Sequence, residues 1–60
     1  MDTMDLEIAV ERKVFRRELW SWKKEVTRLE AVPDSNMFKE GALENARFNV
    51  YKVEQILNNL

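Results

Sequence analysis

Cysteine and histidine are both absent from the 60 residues of this chain. Without cysteine, no disulfide can staple the fold. Without either residue the usual zinc ligand sets are excluded, because carboxylates alone rarely hold zinc. The same absences remove the side chains most used for nucleophilic and general-base chemistry. Ser21 and Ser35 have no activating partner in the pattern, and there is no glycine-rich phosphate loop. Glu40 and Glu44 stand four residues apart, which on an exposed helix is ordinary solvated charge. So short a chain also has little room for a water-excluding pocket. The expectation is a non-enzymatic protein that uses no cofactor and no metal.

Proline and glycine occur once each, as Pro33 and Gly41. Strand alternation and turn clusters are missing elsewhere, which predicts two helices and one connection. Long apolar runs are missing too. The longest, Ile8-Ala9-Val10, has three residues, so nothing is expected to span a membrane. No secretory signal is visible, and the lack of cysteine fits a reducing compartment, so a cytoplasmic location is expected.

What is present is amphipathic periodicity. Helix 1 is expected over about residues 3–31, with Thr3 as a cap and Asp5 and Glu7 at the positive end of the helix dipole. Met4, Ile8, Phe15, Leu19, Trp22, Val26 and Leu29 share a near-heptad stripe, interrupted at Glu11 and Arg12. Pro33 ends the helix, because the residue before a proline avoids the α region. The connection is expected over about 32–38. Asp34, Ser35 or Asn36 would cap helix 2, which should run over about 39–59. Its apolar face is Ala42, Leu43, Ala46, Val50, Val53, Ile56, Leu57 and Leu60, with Met37 and Phe38 plugging the turn end of the core. A short connection makes the two helices antiparallel. The fold class is therefore all-α, one antiparallel helical hairpin over 1–60.

A lone 60-residue domain leaves much surface uncovered and is marginal by itself. With no disulfide or metal to help, association with another chain is the remaining staple. Dimerisation of the hairpin into a four-helix bundle is expected. The longer helix 1 should overhang at residues 1–10. There Leu6 and Val10, continued by Val14, make a second stripe suited to self-association.

Charge is uneven along a chain whose net charge is −1. Residues 1–11 hold Asp2, Asp5, Glu7 and Glu11 and no base. Residues 12–28 hold Arg12, Lys13, Arg16, Arg17, Lys23, Lys24 and Arg28 against only Glu18 and Glu25. Residues 36–60 balance three bases with three acids. An antiparallel pairing of two copies would set the acidic segment of one against the basic segment of the other.

Trp20 is the outlier in this pattern. Its helical neighbours are Arg16, Arg17, Lys23 and Lys24, while Leu19 and Trp22 point to the core. Three readings stand for it: part of a self-interface, an anchor for a different macromolecule inside a charged rim, or a solvated ring held by cation–π contacts. Phe48 and Tyr51 on the outer face of helix 2 are its expected companions, forming a belt at mid-hairpin. The functional expectation is a small regulator, adaptor or inhibitor that binds a larger protein, as a homodimer. The partner-binding residues would be Trp20, Phe48 and Tyr51 with Arg16, Arg17, Lys23 and Lys24. The alternatives are a nucleic-acid-binding dimer using the basic middle of helix 1 and a structural subunit of a larger assembly. The slightly negative whole-chain charge and the lack of a known nucleic-acid motif weigh against nucleic acid. Acidic residues crowding the start of helix 1 and flanking its seam weigh against a membrane surface.

Overall fold

A computed structural model describes residues 3–60. Two helices pack against each other, α1 (Thr3–Glu30) and α2 (Lys39–Asn58), and no strand occurs among the described residues. Both helices end one residue short of the sequence expectation. Thr3, expected as the cap, is the first residue of α1.

α1 ends in tightened turns. The amides of Ala31 and Val32 donate to Arg28 and Leu29 three residues back, at 3.2 and 3.1 Å. Such bonds satisfy carbonyls that the helix itself leaves over. Arg28 in this last turn places a cation at the negative end of the dipole. Turns continue through the connection, where the Asn36 amide donates to the Pro33 carbonyl at 3.0 Å.

No side chain caps α2 in the expected way. The Ncap position belongs to Phe38, which makes no side-chain cap bond. Asn36 instead folds back in an Asx turn, its Oδ1 accepting from the Phe38 amide at 2.9 Å. This local bond turns the two bulky residues outward. Met37 is 84% exposed and Phe38 75%, so neither plugs the core. Lys39 takes that place. Its side chain is only 14% exposed, and its Nζ donates to Asp34 Oδ1 at 2.7 Å and to the Glu30 carbonyl at 3.4 Å. The aliphatic stem covers the end of the seam while the ammonium stays paired, the usual compromise for a long cationic side chain.

The seam itself is thin. Leu29, Ala46 and Val53 are its buried residues. Ala46 is 1% exposed, because a methyl group is all that fits where the helices approach closely. Phe15, Leu19, Trp22 and Val26 of α1 and Ala42, Leu43, Val50 and Leu57 of α2 line the seam half-buried. Asn49 joins them, half-buried, its Nδ2 donating to the Asn45 carbonyl at 2.9 Å. Ile56 departs from the expected face: it sits on the flank and is exposed.

The molecule is a rod, 53 × 15 × 12 Å. α2 accounts for only about 30 Å of that length at 1.5 Å per residue. Lys23 reaches Glu54 at 3.7 Å, and Arg12 Nη2 donates to the Leu60 backbone oxygen at 2.6 Å. Roughly the first ten described residues of α1 therefore extend past the end of α2. Met4 belongs to the seam stripe by spacing yet is mostly exposed, because α2 does not reach it.

Candidate partner-binding surfaces

Helical spacing alone puts Trp20 on the side of α1 away from the seam, since Leu19 and Trp22 occupy the facing positions. Trp20 is 62% exposed. Its four cationic neighbours behave differently from one another. Lys24 Nζ lies 4.4 Å from the ring centroid, within cation–π range. Lys23 is drawn across to Glu54 on α2. Arg16 and Arg17 are exposed and make no ion pair with any described residue. The expected rim of four thus contains two unpaired guanidinium groups, suited to bidentate recognition of carboxylate or phosphate.

Phe48 and Tyr51 lie on the outer face of α2 and are each more than half exposed. Phe48 has its own cation, with Lys52 Nζ 5.7 Å from the ring centroid. No ring contact joins Trp20 to either residue among the described residues. With Arg12 at Leu60 and Lys23 at Glu54, Trp20 falls between the levels of residues 52 and 57 of α2, close to Tyr51 and beyond Phe48. The three aromatics lie exposed on the outer faces of two different helices. Sequence spacing gave the face of each ring correctly. The offset between the helices depends on how the connection turns, which spacing does not report.

The third surface is the bare end of α1. Leu6, Val10 and Val14 repeat every four residues and so share one side, and all three are more than half exposed. Leu6 and Val10 line an open groove with Glu7 and Glu11. Lys13 and Arg17 border the other side of the same stripe at helical spacing.

Ion pairing elsewhere is local. Arg28 forms a two-pronged pair with Glu25, through Nε to Oε2 at 3.1 Å and Nη2 to Oε1. The hydrogen bonds and positive charge from Arg28 hold the Glu25 carboxyl below the usual carboxylate range. Lys39 does the same for Asp34. Neither pair belongs to an aromatic patch. No group of acidic residues able to hold a metal ion occurs among the described residues. No described helix is long and apolar enough to cross a membrane.

Two residues were missed by spacing, Arg12 and Lys39. Both look like ordinary surface cations in the sequence, and both tie chain segments together in the fold. The signal for Lys39 was its place just after a proline-containing turn, where a long stem can fold over an open helix end.

These features define an all-helical two-helix hairpin with a thin seam and extensive uncovered apolar surface. No protein-family model matches the chain, and neither a curated protein nor a solved structure does.

Proposed function

We propose that this chain is a small non-catalytic interaction module that occupies a surface on a larger protein and works as a homodimer. The observation that supports this most is the contrast in burial. Among the described residues three are buried, while Met4, Leu6, Val10, Val14, Trp20, Met37, Phe38, Phe48, Tyr51 and Ile56 are exposed large hydrophobics. Scattered exposed apolar groups are normal, but this many on so small a chain is what interaction surfaces carry. Trp20 is the anchor in this reading, with Arg16 and Arg17 as the rim that pairs with acidic or carbonyl groups around the partner's pocket. Phe48 and Tyr51 form a second, smaller contact patch.

Nucleic acid is the second reading, favoured by the unpaired state of Arg16 and Arg17 beside a ring able to stack on a base. Two of the four rim cations are already engaged, one with Glu54 and one with the ring. The whole chain is also slightly acidic. Both facts favour a protein partner.

The test places a photo-cross-linking amino acid at position 27, exposed and two turns from Trp20 on the same side of α1, in the cells that make the protein. A defined protein adduct is expected. The purified adduct partner should then bind Trp20→Ala about 30-fold more weakly than the native chain, the loss typical of a hot spot of about 2 kcal/mol. Far-UV circular dichroism of Trp20→Ala should be unchanged. Binding that instead follows oligonucleotides, and falls steeply with salt, overturns the protein-partner reading in favour of phosphate.

A further inference from the structure

We propose that the outer side of α1 is a docking ridge for an acidic segment of another protein, laid along the helix over Lys13, Arg16, Arg17, Trp20 and Lys24. The inference rests on the interaction-module reading above and names the chemistry of its partner. Each residue of a helix turns the chain by about 100°. On that count Lys13, Arg16, Arg17 and Lys24 all fall within about 60° of Trp20, on the side away from Leu19, Trp22 and Val26. The acids of the same stretch, Glu18 and Glu25, fall about 160° and 140° around the helix from Trp20. From Lys13 to Lys24 the ridge therefore runs for about 16 Å with cations and no carboxylate.

All five side chains are exposed, and Lys13, Arg16 and Arg17 make no ion pair or hydrogen bond with any described residue. Lys13 stands three and four residues before Arg16 and Arg17, so like charges repel along the helix. An anionic ligand relieves that repulsion, and a neutral one does not. Asp5, Glu7 and Glu11 belong to the same continuous helix and cannot fold back onto the ridge. Arg16 and Arg17 suit two-pronged recognition of carboxylates, while Lys13 and Lys24 add point charges at either end. Two features favour an acidic peptide over a nucleic acid. Lys24 Nζ already covers a face of the Trp20 ring, the surface on which a base would stack. The ring keeps its positive edge and its indole N–H, which has no hydrogen-bond partner among the described residues and suits an anionic acceptor. The ridge is also one helix wide, with Glu18 and Glu25 on its flank, in a chain of net charge −1. The two phosphate rows of a duplex would lie over those carboxylates, whereas a single acidic segment follows the cations alone.

The test titrates a helical peptide of about fifteen residues, with glutamates three and four apart and a central leucine, into the isotope-labelled chain. The same peptide with glutamine for glutamate, and a thymidine oligonucleotide of equal charge, are titrated beside it. In NMR spectra the glutamate peptide should shift the Trp20 indole N–H and the amides from Lys13 to Lys24, and bind about tenfold more tightly than the glutamine peptide. Arg16→Gln with Arg17→Gln should weaken that binding about tenfold, and Arg47→Gln with Lys52→Gln on α2 by less than about twofold. All four positions are exposed, so circular dichroism should be unchanged in both variants. No binding of the glutamate peptide, equal binding of the two peptides, or equal losses in the two variants would overturn the proposal. Tighter binding of the oligonucleotide would overturn it in favour of phosphate. Mass that rises with concentration and falls back in the Arg16→Gln, Arg17→Gln variant would overturn it in favour of a second copy. A protein cross-linked at position 27 through a segment without acids would sink the acidic ridge and leave the interaction-module reading standing.

Discussion

The two halves of α1 have the same backbone and opposite surroundings. From Phe15 to Leu29 the helix lies against α2, and its seam residues are half-buried or buried. From Thr3 to Val14, Ile8 is the only half-buried residue, and every other side chain is exposed. The comparison separates two causes of helix formation that are usually confounded. The turn half is held by packing across the seam. The bare half follows from its own propensity, from Asp5 in the first turn and from continuity with a helix already formed. A segment in that condition is apolar and ready to bind, but adds little stability to the hairpin alone.

Truncation of one leucine in each half gives the largest expected difference. Leu29→Ala removes a buried side chain from a three-residue core and should cost about 2–5 kcal/mol. That is a large part of what so small a domain has to lose. Leu6→Ala should change the stability of the monomer by no more than about 0.5 kcal/mol, as exposed substitutions do. Urea titrations followed by circular dichroism, run dilute, make the comparison. An equal cost at both positions would mean that the bare half is packed in the folded monomer, and the distinction between the halves would collapse.

The same contrast explains how much was legible in the sequence. The two helices, their bounds and the facing stripe from Phe15 to Leu29 follow from periodicity, because side chains three and four apart on a helix must share a side. The exposure of Trp20, Phe48 and Tyr51 follows for the same reason. Met37 and Phe38 escape the pattern because the Phe38 amide donates to the Asn36 side-chain oxygen and holds the chain in a local turn there. Hydrophobicity carries no trace of that bond. Lys39 was passed over because its charge suggests solvent, whereas its stem is what closes the turn end. The register between Trp20 and the α2 aromatics depends on the rise of the chain through residues 31–38, a quantity that no single-helix pattern contains.

Gly41 sharpens the comparison from the covered side. It lies within α2, its φ is not positive, and a Cβ built there meets nothing within 4 Å. Glycine is therefore required neither by conformation nor by close packing. Gly41→Ala should stabilise the hairpin by about 0.5 kcal/mol, mainly by reducing the freedom of the unfolded chain. A thermal melt would show a small rise in midpoint. Amide exchange should slow in the first turns of α2 and remain unchanged in the bare half of α1. Slowing along all of α1 would show that the two halves open as one unit. A fall in midpoint would indicate that the exposed face at Gly41, which shares an open groove with Glu44, Asn45 and Phe48, is already occupied in solution.

The smallest expected effect is acid sensitivity centred on the turn. Lys39 lowers the Asp34 carboxyl, first by hydrogen bonding and then by charge, and Arg28 lowers Glu25 first through its hydrogen bond. A carboxyl more acidic in the folded than in the unfolded chain favours the folded state while it is ionised. That contribution is complete above the ordinary carboxylate range of about 4 and fades as pH falls through the lowered folded values. Both pairs are solvent-accessible, so the effect is modest and weakens with salt. The melting midpoint should therefore fall between about pH 5 and pH 3, with amides of the connection and the first turn of α2 losing protection before the rest of α2. Asp34→Asn, which leaves the Lys39 stem in place, should flatten part of that dependence, and Glu25→Gln should remove a further part. An acid loss that survives both substitutions must arise from carboxylates outside the turn.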